Sequence, residues 1–163
     1  MKKKIVTLSI VMTIALVGWA LAAGNPSASG HGDIIVNTPL GPSSIQYSFV
    51  AQELKSGVQG QAEILFGPAG DRFHVEVDCL SFTAGPNPIA TVGGFIKNIQ
   101  SVTPPGPPEG LRVRFSMRDN GEGANDPPDQ LTGPAFAPPG SPVVCPVALG
   151  PFNNTEGNIQ VRP

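Results

Sequence analysis

The clearest structural pattern in the chain is Asp71-Arg72-Phe73-His74-Val75-Glu76-Val77-Asp78-Cys79-Leu80. From Arg72 to Cys79, apolar side chains alternate with charged side chains or histidine. Successive side chains of a β-strand lie on opposite faces, so the alternation predicts a strand with one buried and one solvated face. The residues expected to face the core are Phe73, Val75, Val77 and Cys79.

Residues 111–118 repeat this alternation and carry three arginines on the polar face, namely Arg112, Arg114 and Arg118. Weaker strand patterns occupy residues 45–51, 60–66 and 88–99, with edge or closing strands at 34–37 and 158–161. No sustained helical period follows the N-terminal segment, although residues 50–56 fit one short helical turn. Short strands separated by turn signals predict an all-β fold, an antiparallel β-sandwich or small barrel in a single domain.

The first 23 residues have the features of a secretory signal peptide. Three lysines precede an apolar run at residues 5–21, and Ala20-Leu21-Ala22 places small residues where signal peptidase reads the chain. An uncleaved membrane anchor is the alternative, because the run approaches the length of about 20 residues that spans a bilayer. The alanines and the polar residues after them favour cleavage and export, either to the medium or to the cell envelope.

Cleavage would change the charge balance of the chain. It would remove three of the 10 basic side chains and none of the 12 acidic ones, so the net charge would move from −2 to −5. An acidic balance argues against nucleic acid and against an anionic membrane surface as partners. We therefore expect an extracellular or envelope partner, and no membrane association once the signal is removed.

Proline divides the rest of the chain. Residues 101–110 contain four prolines and residues 134–146 contain five, so both segments are expected to run extended and unpaired over the surface. Residues 24–32 are expected to form a flexible leader. Residues 33–163 then constitute a single β domain.

Cys79 and Cys145 are the only cysteines, and both lie in the part predicted to be exported. An oxidising compartment favours a disulfide between them, which would enclose 65 residues and contribute about 4 kcal/mol on the loop-entropy model. Free thiols or metal ligands are the alternative.

Acidic side chains concentrate in residues 119–130, on a turn rich in glycine and proline. Carboxylate oxygens suit Ca²⁺, and the predicted ligands are Asp119, Glu122, Asp126 and Asp129. The spacing is not that of an EF-hand, since the third and fifth places counted from Asp119 are Gly121 and Gly123. The alternative is a solvated turn in which Asp and Asn side chains bond to nearby backbone.

A second candidate site is the polar face of the first strand, where His74, Glu76 and Asp78 stand about 6.6–7 Å apart. Such a row can ligate a transition metal or supply an acid and a base for hydrolysis, and otherwise it is a solvated face. In a meander, the strand at 88–99 would separate this row from the arginines by about 10 Å, making direct ion pairs uncommon. The arginines would then be free for an anionic ligand or for the acidic loop.

Several site chemistries lack their residues. No nucleophile elbow, H-E-x-x-H motif or Cys/His zinc spacing is present, and His31 lies in the predicted leader, which leaves His74 as the sole imidazole base. Sugar stacking is disfavoured, because Trp19 leaves with the signal and Tyr47 is the only tyrosine.

The chain resembles a group of small exported, mostly bacterial β-rich proteins and domains over roughly residues 44–163. The segments that carry the resemblance are Val77-Asp78-Cys79-Leu80-Ser81, Ile89-Ala90-Thr91-Val92-Gly93-Gly94-Phe95-Ile96, Val113-Arg114-Phe115, Asp119-Asn120-Gly121-Glu122-Gly123, Pro127-Pro128-Asp129-Gln130 and Gly157-Asn158-Ile159-Gln160-Val161. The resemblance implies export and a β-fold, and transfers no catalytic residues.

Taken together, the sequence predicts a secreted β-domain that acts without catalysis as a binding or structural module. The alternatives are a small hydrolase using His74 with Glu76 or Asp78, or a module stabilised by Ca²⁺ at the acidic loop. Because the acidic loop and the C-terminal segment 157–161 occur together in the resemblance, we expect the loop to define the fold.

Overall fold

The computed structural model describes residues 24–38, 41–67, 70–100, 109–142, 144–146 and 150–163. The predicted signal peptide and the prolines of residues 101–108 lie outside the described residues. Within the described ranges every regular element is a β-strand. No described helix is therefore available to cross a membrane.

Ten strands make up a single antiparallel sheet. They are β1 (Ser27–Thr38), β2 (Gly41–Leu54), β3 (Gly57–Phe66), β4 (Asp71–Thr83), β5 (Ile89–Gln100), β6 (Arg112–Arg118), β7 (Gln130–Thr132), β8 (Ala135–Ala137), β9 (Phe152–Asn154) and β10 (Glu156–Arg162). Their order is β10-β1-β2-β3-β4-β5-β6-β7-β9, and β8 pairs with β6. Strands β1 to β6 follow one another as a meander. The predicted all-β antiparallel fold is confirmed, and so is the disulfide between Cys79 and Cys145.

The sheet curls around one core instead of lying flat. Phe115 on β6 packs against Tyr47 and Phe49 on β2, with ring centroids 4.9 and 5.5 Å apart, although three strands separate β2 from β6. The Tyr47 hydroxyl donates to the Thr132 carbonyl oxygen at 3.1 Å, which adds β7 to the same interior. Burial raises the pKa of Tyr47, so its hydroxyl stays protonated and serves the core as a donor.

Strand pairing does not close the sheet, because β10 and β9 are its two end strands. These ends are nevertheless consecutive in sequence and separated only by Thr155. Residues 156–162 pair with β1, whereas residues 152–154 pair with β7. The change of partner at Thr155 leaves one gap beside β10 and another beside β9.

A β-bulge in β4 changes which residues face the core. The register with β5 shifts between Val77 and Cys79, so the side chains after the bulge exchange faces. Leu80 and Phe82 pack against the core, whereas Cys79 lies outside the core cluster and bonds to Cys145. Cys79 is buried as the alternation predicts, at 8% exposed. The strict period of two misses the extra residue that turns Leu80 and Phe82 toward the core.

Three further sequence expectations differ from the structure, and two short strands were not expected. Residues 27–32, expected in a flexible leader, form the first half of β1, because β2 and β10 satisfy their backbone from both sides. Residues 50–54 continue β2 instead of forming a helical turn. Residues 135–137, expected to be unpaired, bond to β6 as β8. The strands β7 and β9, of three residues each, show no period in the sequence.

Candidate functional site

The acidic loop lies against the C-terminal strand. We call residues 119–130 the clasp loop, because its carboxylates bond to the edge of β10 that faces away from β1. The Ile159 amide donates to Asp129 Oδ2 at 2.8 Å, and the Val161 amide donates to Asp119 Oδ2 at 3.0 Å. These side chains supply the acceptors that a neighbouring strand would otherwise provide.

The other oxygens of these two carboxylates hold the clasp loop itself in shape. Asp129 Oδ1 accepts the Asn120 amide at 2.9 Å, and Asp119 Oδ1 accepts the Gly121 amide at 2.9 Å. The Asp129 carbonyl oxygen also accepts the Thr155 amide, at 2.9 Å. Asp129 is only 7% exposed, and it bonds to Asn120, Thr155 and Ile159. It therefore joins the clasp loop both to Thr155 and to β10.

Glu122 and Asp126 have less buried roles in the same loop. Glu122 Oε1 accepts the Gln160 side-chain amide at 2.9 Å, which adds a third contact to β10. Asp126 Oδ2 accepts the Gly123 amide at 2.6 Å and closes a local turn. All four carboxylates predicted to bind Ca²⁺ are thus bonded to amide donors.

The structure does not gather these carboxylates around one point. Among the described residues, no group of three or more His, Cys, Asp or Glu side chains is arranged to hold a metal ion. A calcium ion would have to replace N–H donors at several carboxylates, and each hydrogen bond to a charged group is worth about 1.5–3 kcal/mol. Calcium binding therefore stays a hypothesis, which is tested by comparing melting temperatures with Ca²⁺ and with chelator.

We expect the melting temperature in millimolar Ca²⁺ to match that in chelator within about 1 °C, because an ion stabilises only a fold with an available site. Differential scanning calorimetry at constant ionic strength makes the comparison, with Mg²⁺ as the control for general salt effects. A rise produced by Ca²⁺ and not by Mg²⁺ would restore the clasp loop as a calcium site.

The predicted acid and base row on β4 is divided among three partners. His74 Nδ1 lies 3.5 Å from Glu63 Oε2, and Glu76 Oε2 lies 2.7 Å from the Lys97 ammonium. Asp78 bonds to the Arg112 guanidinium through both oxygens, at 2.6 and 2.7 Å. Each member of the row is thus paired with a side chain outside it.

The Asp78–Arg112 ion pair joins β4 to β6 across β5. The meander spacing predicted that direct ion pairs between these two strands would be uncommon. The bulge between Val77 and Cys79 places Asp78 out of the regular register. Gly93 and Gly94 lie opposite this bulge on β5. A Cβ at Gly93 would meet Cys145 Sγ at 3.1 Å, so the glycine there makes room for the disulfide. The displaced register of Asp78 is the feature that brings it to Arg112.

We expect Asp78→Ala to lower the free energy of unfolding by about 2 kcal/mol, because it leaves a nearly buried guanidinium without its counter-charge. The side chain of Arg112 is 11% exposed and that of Asp78 is 31% exposed. Glu76→Ala is the matched control on the same strand, since its half-exposed pair with Lys97 is worth about 0.5 kcal/mol or less. Equal losses in urea denaturation would contradict the assignment.

The remaining arginines of β6 differ in their contacts. Arg118 donates to Gln130 Oε1 at 2.8 Å and covers the Phe152 ring. Arg114 donates to the Val144 carbonyl oxygen at 3.0 Å, and its buried Nε has no acceptor. It borders a small cavity of about 170 Å³ and makes no ion pair with a described residue. The predicted anionic ligand therefore has one candidate guanidinium, enclosed beneath the segment that holds Cys145.

Two larger grooves are open to solvent. One, of about 680 Å³, lies over β2, β3 and β4 beside Glu76 and Asp78, and its lining mixes three glutamines with valine and leucine side chains. The other, of about 640 Å³, lies between β1 and β9. The sequence did not predict the second groove, since β9 has no recognisable strand pattern.

No protein-family model matches the chain, and neither does any curated protein or any solved structure.

Proposed function

We propose that the protein is an exported β-module that acts outside the cytoplasm by binding or by structural support, without catalysis. The observation that carries the proposal is that the acidic side chains of both candidate sites make bonds within the fold. The acids of the clasp loop bond to β10 and to the loop, and those of β4 form ion pairs. The disulfide supports a compartment outside the cytoplasm.

The hydrolase alternative requires His74 to act together with Glu76 or Asp78. A general base needs a partner that orients it and a reacting group within hydrogen-bond reach. The imidazole instead contacts Glu63 on β3, and all three side chains of the row lie on a partly exposed face. This arrangement favours a non-catalytic module over a hydrolase.

The experiment combines localisation with an activity screen. The chain is expressed with its own leader, and cell fractions are probed for the protein and for its thiol content. We expect processed protein in the medium or envelope, resistant to alkylation until it is reduced. A panel of ester, peptide and glycoside substrates should show no turnover that His74→Ala abolishes. Cytoplasmic retention, or turnover lost in that variant, would overturn the proposal.

A further inference from the structure

Two backbone edges lie beside each other at the open end of the sheet. Strand β1 extends to Thr38, but it pairs with β10 only over residues 27–33 and continues to Thr38 bonded to β2 alone. Strand β9 is bonded to β7 and lies in contact with β1 without pairing to it. Among the described residues, the edge of β1 at residues 34–38 and the edge of β9 at residues 152–154 therefore have no strand partner.

The β1–β9 groove separates these edges and has a volume of about 640 Å³. We define it by its lining: Asp33, Ile34, Ile35, Ser44, Phe152, Asn153, Asn154 and Glu156. The Ile35 side chain is 67% exposed, which makes it the most exposed large apolar side chain of the described residues. Phe152 is partly buried on the opposite side. The groove thus combines unpaired backbone with apolar side chains.

The gap beside β10, on the other side of Thr155, shows how an unpaired strand edge is covered in this fold. There, Asp119 and Asp129 accept the Ile159 and Val161 amides, so the edge of β10 is covered by the chain's own groups. No described side chain bonds to the backbone of residues 34–38 or 152–154, and the bond from the Gln130 side chain to Asn154 Oδ1 joins β9 to β7. An uncovered strand edge offers a row of N–H and C=O groups that another extended chain can pair with.

Charge at the groove selects among extended chains. Asp33 and Glu156 are opposite one another at the last β1–β10 pair, where the groove begins. Asp33 receives a hydrogen bond from the neutral Gln46 side chain at 3.3 Å, and neither carboxylate forms an ion pair with a described residue. Two acids without a counter-charge favour a basic residue in the occupant.

We propose that the β1–β9 groove is a docking site for an extended peptide segment that carries a basic residue two positions from an apolar one and adds as a strand to β1. Asp33 and Ile35 lie on the same exposed face of β1, so the two side chains of the peptide must also share a face. Backbone hydrogen bonds to residues 34–38 supply affinity, Ile35 and Phe152 hold apolar side chains, and Asp33 and Glu156 receive the basic one. The inference rests on the proposed function as a binding module and names its partner class.

The test uses a capped, fluorescent peptide in which lysine and valine stand two positions apart, separated by threonine, so that both face the same side of the added strand. Anisotropy measures its binding to the purified full chain. We expect saturable binding, weakened about tenfold or more by Ile35→Lys, which removes the apolar contact and places a like charge beside the lysine of the peptide. Val50→Lys is the matched control, because Val50 is an exposed aliphatic residue on β2, 53% exposed, that does not line this groove. A peptide whose alternate backbone amides are N-methylated should bind the wild-type protein no more tightly than the unmodified peptide binds the Ile35→Lys protein.

Hydrogen exchange locates the bound peptide. Peptide should slow exchange of amides within residues 34–38 and 152–154, while amides of β3 stay unchanged. No binding up to about 1 mM peptide, equal weakening by both lysine variants, or protection elsewhere would overturn the proposal. Protection of the same amides by self-association, without peptide, would assign the groove to a second copy and also overturn it. None of these outcomes bears on export or catalysis, so the proposed function stands or fails by its own test.

Discussion

Replacing Asp129 with alanine is expected to lower the free energy of unfolding by about 3 kcal/mol. The side chain is buried and accepts the Ile159 and Asn120 amides through separate oxygens. Removing it leaves two backbone donors unpaired, and each hydrogen bond to a charged group contributes about 1.5–3 kcal/mol. Urea denaturation followed by circular dichroism measures the loss, with an unchanged dependence on urea as evidence of the same two-state transition.

Two variants distinguish the loss of the Asp129 hydrogen bonds from the general effect of removing a negative charge from the clasp loop. Asp126→Ala removes an acid from the same loop whose carboxylate accepts the Gly123 amide. Asp126 is exposed, so water can replace the lost acceptor, and we expect a loss of about 1 kcal/mol or less. Asp129→Asn keeps the shape of the side chain but sets an NH₂ group against a backbone donor, so most of the loss should persist. A similar loss for Asp126→Ala and Asp129→Ala would contradict the distinction between them.

Removing the disulfide is expected to cost about 4 kcal/mol, since the bond closes a loop with a sequence separation of 66. Of the described residues around Cys145, Val144 and Pro146 also bond to the sheet, through the Val144 carbonyl to Arg114 at 3.0 Å and the Pro146 carbonyl to Ser81 at 3.4 Å. We therefore expect the segment to detach when the bond is absent. The Cys79→Ala/Cys145→Ala protein should show the loss in urea denaturation.

Reduction supplies the control for the disulfide. Adding a phosphine reductant to the wild type should reproduce the stability of the double-alanine protein, and it should leave that variant unchanged. A difference of less than about 1 kcal/mol between oxidised and reduced wild type would show that the fold does not depend on the covalent loop.

Periodic residues could be predicted from the sequence, and the reason is physical. Alternation in β4 and β6 reports directly which side chains are buried, so it locates strands that have one dry face. Strand β1 shows little alternation over residues 27–32, because glycines at 30 and 32 leave no side chains there to reveal a period. It becomes a strand only because β2 and β10 pair with it.

The sequence predicted which residues form the candidate site, but it did not predict which groups they bond to. Composition identified the acids of the clasp loop, and the resemblance linked that loop to residues 157–161. Composition does not report where an acid bonds, so it cannot distinguish a calcium ligand from an acceptor for the Ile159 amide. The β1–β9 groove was beyond sequence reasoning, because it arises from a change of strand partner at Thr155.

The clasp and the β1–β9 groove follow from the same interruption of the sheet. The chain changes partner at Thr155, and the resulting gaps differ only in what covers their backbone. Asp119 and Asp129 cover the first, which makes the acidic loop a structural element. The second is the feature that a binding module would use, and it is where the proposed peptide docks.

Amide hydrogen exchange at Ile159 and Val161 tests this account most directly. In the wild-type protein both amides should exchange slowly in the presence of chelator, because carboxylates of the clasp loop accept them. In the Asp119→Ala/Asp129→Ala protein, under conditions where it stays folded, both should exchange at least about tenfold faster while the amides of β3 and β4 keep their relative protection. Unprotected amides in the wild type, or protection that appears only when Ca²⁺ is added, would contradict the account.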